Sequence, residues 1–238
     1  MTIVAPTSAT VAWQRAGKVT GVTGLATVVL FLSAVVGTRD EPLSSAGAPE
    51  FLAYYRSPDT DAGPVRSFLF TVSLVLFVCF AGSLTTLLRR AEGEAPWRST
   101  IAMGCGVLFI ALGLSGVGNE SAVTLRADDL DPQIARYAFD QGQAAFANGR
   151  VALGCFAGCC GWVIVSTRFL PRWLGWLAIA SAAGLVISRI TWTNLIWLVP
   201  YLMLWLWMII VAAVLLRRGV RVPEPADVPS PERGLRSA

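Results

Sequence analysis

The sequence predicts an all-α fold, a polytopic membrane bundle of six transmembrane helices with short extracytoplasmic interfacial helices. Three observations predict it. Six stretches carry almost no charge, and arginines mark their ends on alternating sides. Only 14% of the 238 residues are charged while 55% are hydrophobic, against about 25% charged in a soluble domain. Mean hydropathy is +0.61. Too little polar surface exists to cover a water-soluble core of this size, so the solvent for most residues is the bilayer.

Residues 1–18 form a predicted cytoplasmic segment ending in Arg15 and Lys18. Residues 19–218 form the transmembrane domain. Its spans are Val19–Thr38, Ser67–Leu88, Ser99–Asn119, Gln141–Thr167, Trp173–Ser188 and about Leu195–Leu216. The fifth is extendable past Arg189 to Thr193. A crossing takes about 20 apolar residues, and backbone groups in lipid must pair within the segment, which makes each span a helix. Residues 219–238 hold Pro223, Pro225, Pro229 and Pro231 and read as a disordered tail. Arg15 and Lys18 ahead of the first run also fit a signal peptide, but the small residues Ala46–Ala48 lie far from the run, so a retained anchor is expected.

Orientation follows from Lys and Arg. With the N-terminus inside, twelve lie in inside segments and five in outside loops. That bias predicts both termini in the cytoplasm. Trp173 and Trp176 then fall near the inner face, Trp192 and Trp197 near the outer one, and Trp205 and Trp207 deeper. In the first outer loop Ala48-Pro49-Glu50 opens a short helix carrying Phe51, Leu52, Tyr54 and Tyr55, closed by Ser57-Pro58-Asp59. It is expected to lie in the headgroup layer. In the second, Asp131 as N-cap and Pro132 at the first helical position start a helix of about 35 residues. It carries the fourth span.

Several chemistries are excluded. The chain has no histidine, which removes His-ligated haem, histidine metal sites and Ser-His or Cys-His pairs. Its single lysine, Lys18, leaves no deep Schiff base. The net charge of +4 resides on orientation-setting arginines, so no nucleic-acid partner is predicted. Cys79, Cys105, Cys155, Cys159 and Cys160 all lie in apolar runs and read as packing residues. Cys155 and Cys159 share a face, but no other ligand type is at hand, so no metal is predicted. Asp128, Asp129 and Asp131 lack the glycine and terminal Glu of a calcium loop. No cofactor is predicted.

The fourth span is the unusual one. At 100° per residue, Arg136, Gln143, Arg150, Gly154 and Gly161 share one stripe. Gln141, Asn148, Cys155, Cys159 and Ser166 share nearly the opposite one. That places the helix near the bundle centre. Arg150 falls roughly 15 Å below the outer interface. A lone arginine there costs about 2.5–3.5 kcal/mol on insertion scales, which a partner or a cavity must offset. Glu120 is the nearest candidate, on a span whose Gly106, Gly113 and Glu120 recur every seven residues. Packing of that seam on Gly154, Gly158 and Gly161 is expected to bring Glu120 toward Arg150.

Two functions from different classes follow. The first is an outward-opening polar pocket lined by Glu120, Gln143, Asn148, Arg150, Arg189 and Asn194. It would bind an anionic or amphipathic small ligand or a lipid headgroup. The second is a structural or accessory subunit in which Glu120 and Arg150 form a lock. Its apolar faces would dock a membrane protein partner or a second copy. An enzyme is not favoured, since a hydrolase would rest on Glu120, Asp140 and Arg150 alone. Transport fits less well, because six helices without a repeat depart from the inverted-repeat design.

The stretch Leu170-Pro171-Arg172-Trp173-Leu174-Gly175-Trp176 resembles the start of the fifth helix in a broad set of actinobacterial integral membrane proteins of unknown function. Asp140-Gln141-Gly142-Gln143-Ala144-Ala145-Phe146-Ala147 and Phe51–Arg56 are similar to that set as well. The resemblance runs from about Pro49 to Trp176. It implies six helices in the plasma membrane of a high-GC bacterium, and no activity.

Overall fold

The computed structural model describes residues 8–35, 42, 45–57, 63–190 and 198–218. Seven α-helices follow in order: α1 Ser8–Val35, α2 Ala48–Arg56, α3 Gly63–Glu92, α4 Trp97–Leu125, α5 Pro132–Thr167, α6 Arg172–Ile187 and α7 Leu198–Arg218. A 3₁₀ turn, Ala127–Asp129, joins α4 to α5. The described residues contain no strand.

Five helices, α1, α3, α4, α5 and α7, are long and apolar enough to cross a membrane. Of the six spans expected, five stand as helices of that length, and a shorter apolar helix, α6, lies where the fifth was expected. α6 has 16 residues, roughly 24 Å, less than an upright crossing takes. It ends at Ser188, whose N–H donates to Gly184 O at 2.9 Å, and Arg189 and Ile190 continue as a turn. The expected extension to Thr193, with Asn194, Trp192 and Trp197, lies outside the described residues.

Local chemistry accounts for the ends. Asp131 caps α5, its Oδ1 accepting from Gln133 N at 2.7 Å, with Pro132 in the first turn. This is the start the sequence predicts. Glu50 reaches back to Gly47 N at 3.2 Å and closes the first turn of α2. Gly93, at φ +91°, ends α3 in a conformation that side chains disfavour. Arg168 ends α5 at φ 57°, and Pro171 precedes α6. α1 begins at Ser8, so helix extends into the segment expected to precede the first span.

The long helices form a closed ring. Each packs on its chain neighbour, in the order α1, α3, α4, α5, α6, α7, and α7 returns to α1. α5 also touches α3 and α2, which makes it the central helix, as expected. Inside the ring Phe77 meets Phe109 at 5.2 Å and Phe156 at 5.3 Å, and Phe31 meets Trp205 at 4.5 Å. Trp205 and Trp207 are buried in protein, while Trp173 and Trp176 are exposed.

Glycines set the close approaches, but not in the pairing expected. On α5, Gly154, Gly158 and Gly161 face α6, where a Cβ on Gly161 would meet Gly175 O at 2.6 Å. On α4, Gly106 and Gly113 turn mainly to α3, where they meet Ala81, Phe77 and Leu74. Gly116 and Gly149 mark the α4–α5 seam. The small residues therefore serve three seams, not one.

α2 is helical where the sequence predicts it, and its apolar face meets protein. Phe51, Leu52 and Tyr55 bury against Val123, Ala127, Ala135, Ala138 and Phe139. Arg56 ties the helix down by donating from Nε to Ala127 O at 2.8 Å and from Nη2 to Asp128 O at 2.7 Å.

Candidate functional site

Helix registers decide which polar groups meet. Between α4 and α5, Gly116 faces Gly142 and Ala145, and Gly149 faces Phe109 and Leu112. Asn119 Nδ2 donates to Ala138 O at 2.6 Å in the same antiparallel register. Arg150 is thus level with about Ile110, and Glu120 stands about ten residues, roughly 15 Å, further along α4. The structure does not bring Glu120 and Arg150 to one level. The sequence pattern alone could not show this, because a seven-residue stripe fixes a face of a helix and not its axial offset against a neighbour.

The level Glu120 does share is that of Arg66. Gly113 packs on Leu74. Seven residues along α4 is Glu120, and seven back along antiparallel α3 is Ser67, beside Arg66. Both charges line a cavity of about 400 Å³ at the α2 end of the ring. Its wall draws on α1 at Ala34 and Val35, α2 at Tyr55, α3 at Arg66, Ser67 and Phe70, and α7 at Leu198. α4 contributes Leu112 to Glu120, and α5 contributes Ala138 to Phe146, Gln143 included. Most of that surface is apolar. Polar groups are concentrated at Tyr55, Arg66, Ser67, Glu120 and Gln143.

Of the six residues predicted for the pocket, Glu120 and Gln143 lie in this wall. Arg150 is 2% exposed and lies outside it, with its guanidinium carbon 5.5 Å from the centroid of the Phe146 ring. Phe146 therefore belongs to both places, as part of the cavity wall and as the aromatic face against Arg150. A cation held over a ring gains about 0.5–2 kcal/mol, more where water is excluded. Tyr201 and Arg189 are the ionisable neighbours that bear on Arg150, and Phe146 packs edge-on to Tyr201 at 5.6 Å.

Asn148 and Arg189 form a separate contact, Arg189 Nε donating to Asn148 Oδ1 at 2.9 Å. It bridges α5 to the end of α6, with Asn148 on the exposed side of α5. Asn194 lies outside the described residues. The other polar stripe of α5, with Gln141, Asn148, Cys155 and Ser166, faces out of the bundle, whereas Arg150, Gly154 and Gly161 are buried.

Sequence reading missed Arg66, Tyr55 and Ser67. Arg66 stood as a loop charge at the head of an apolar run. The signal that could have found it is the seven-residue repeat of α4: continued to Glu120, it demands an opposing group at the start of α3.

At the opposite end a polar knot fastens the α3–α4 turn to α5. Glu92 accepts from Arg98 Nε at 2.9 Å and from Ser99 Oγ at 2.6 Å, and Arg98 Nη1 donates to Ser166 Oγ at 3.2 Å. Trp97 and Trp162 meet edge-on at 5.6 Å beside Arg98. Every group in this knot has a structural use, so it holds the turn rather than offering a site.

Long apolar helices closed into a ring, with charge confined to their ends and to one sealed arginine, define a multi-pass helical membrane protein. The family model for the domain of unknown function DUF4386 matches residues 19–219, and the chain belongs to that family. The match is wider than the resemblance carried by Pro49 to Trp176. No curated protein and no solved structure matches the chain.

Proposed function

We propose that this chain is a multi-pass protein of a bacterial plasma membrane, both termini cytoplasmic, that binds an amphipathic ligand or lipid headgroup in the cavity at the α2 end. The carrying observation is the make-up of that cavity: a space of about 400 Å³ with a mostly apolar wall into which Arg66, Glu120 and Gln143 are set. That volume falls within the range of small-molecule sites, which combine apolar walls with a few placed polar groups. The excess of arginine in the segments opposite α2 supports an outward-opening mouth. α6 would complete six crossings, with the turn after it making up the length. The likeness to actinobacterial membrane proteins supports a bacterial host.

A filled cavity tests this reading. Gly116 lies in the wall, and a Cβ there meets nothing closer than 3.8 Å, so Gly116→Phe projects into space. Native mass spectrometry of the gently extracted protein should show a bound amphiphile in the parent chain. In Gly116→Phe it should be lost, with thermal stability retained. A parent chain that carries nothing, or a variant that carries the same adduct, overturns the reading.

A further inference from the structure

Resting on that reading of the cavity, we infer that its ligand is zwitterionic: a phosphate or carboxylate and an ammonium on one amphiphile. The argument is charge balance within the wall. Among its described residues Arg66 is the one cation and Glu120 the one anion, and Tyr55, Ser67 and Gln143 are neutral. The α3–α4 register places the two charges at one level, where the Gly113–Leu74 contact is continued by seven residues on each helix. A purely anionic head would gain at Arg66 and be repelled at Glu120. A purely cationic head would meet the reverse. A dipolar head set along the line between them gains at both, through charge-assisted hydrogen bonds.

The apolar part of the wall indicates that such a head is attached to a chain. Phe70, Phe139 and Phe146 line the space, and rings of this kind gain little from a fully polar solute. About 400 Å³ accommodates a headgroup and the first part of an acyl chain, with the remainder in the bilayer. Tyr55 and Arg66 stand near the ends of their helices, where a headgroup is expected in an upright bundle. A zwitterion presents a negative group to Arg66 and a positive group to Glu120, so neither faces a like charge when the head is bound.

The test uses the full-length protein in nanodiscs of equal parts dioleoyl phosphatidylethanolamine and dioleoyl phosphatidylglycerol, with retained lipid read by native mass spectrometry. The parent chain should retain the ethanolamine lipid over the glycerol lipid by about tenfold, the effect of one charged hydrogen bond. Glu120→Gln should abolish or reverse that preference, and Arg66→Gln should lower retention of both lipids. The double variant Arg66→Glu with Glu120→Arg keeps opposite charges in the wall, so it should fold and still prefer the ethanolamine lipid. Soluble glycerophosphoethanolamine in excess separates the sources: displacement of the lipid assigns recognition to the head alone, and failure to displace it assigns recognition to head and chain together. Equal retention of the two lipids by the parent chain, or a preference that Glu120→Gln leaves intact, overturns the zwitterion assignment while leaving amphiphile binding in place. Retention of neither lipid overturns both.

Discussion

Single residues in this chain matter by the room they leave as much as by the groups they bring. Gly161 and Gly175 approach backbone to backbone: a Cβ on the first would meet Gly175 O at 2.6 Å, and one on the second would meet Gly161 O at 2.8 Å. Lipid tails are as apolar as leucine, so helices in a bilayer associate by packing, and such contacts are a main source of it. Gly161→Leu should therefore destabilise the α5–α6 seam by about 1–3 kcal/mol, as overpacking does, read as a fall in the melting temperature of detergent-extracted protein by tryptophan fluorescence. Gly104→Leu is the control, since nothing lies within 4 Å of a Cβ there, and should leave melting unchanged. An equal fall in both would show that the seam is not tightly packed. Arg150 is the converse case. Its charge is expensive inside a bundle, and the Phe146 ring, with its centroid 5.5 Å from the guanidinium carbon, offsets part of that cost.

At the scale of elements, α2 shows how a short helix can be held. Nine residues are too few to be stable alone. Phe51, with 0% exposure, packs at a tilt on Phe139 at 5.0 Å, and Arg56 clamps two carbonyls of the 3₁₀ turn. α2 is thus held by α5, whose own start is set by the Asp131 cap. Phe51→Ala should cost about 3–5 kcal/mol of local stability. Hydrogen exchange should then quicken across Ala48–Arg56 while the amides of α5 beyond Gln143 keep their protection. Unchanged exchange in α2 would mean that the docking is not what orders it. Tyr55 sits in both the α2 cluster and the cavity wall, so this element also bears on ligand retention.

For the whole molecule, the closed ring is what makes a cavity possible: each helix of the ring has two flanking neighbours, and at the α2 end they enclose a space of about 400 Å³. Orientation is checked by labelling. With the five native cysteines as background, Ser45→Cys should react with a membrane-impermeant maleimide on intact cells. Glu94→Cys, in the exposed turn after α3, should react only after permeabilisation, and the reverse pattern would invert the topology. Much of this architecture was legible beforehand. Apolar runs, proline and aspartate starts, and the central place of α5 are written locally, in composition and in periods of three to four residues. The site was legible only in part. Glu120 and Gln143 could be named because polar groups in apolar helices stand out, whereas Arg66 looked like a loop charge and Arg150 like its neighbour's partner. The sequence by itself determined that this is a helical membrane protein, where α2 and α5 begin, and which residues are costly to place in lipid. Tertiary structure alone decided which of those residues meet. An amphipathic stripe specifies direction around a helix axis, but the slide of one helix along another is set by where glycine, alanine and phenylalanine interlock, and that choice set Glu120 level with Arg66 in one cavity wall and Arg150 against Phe146.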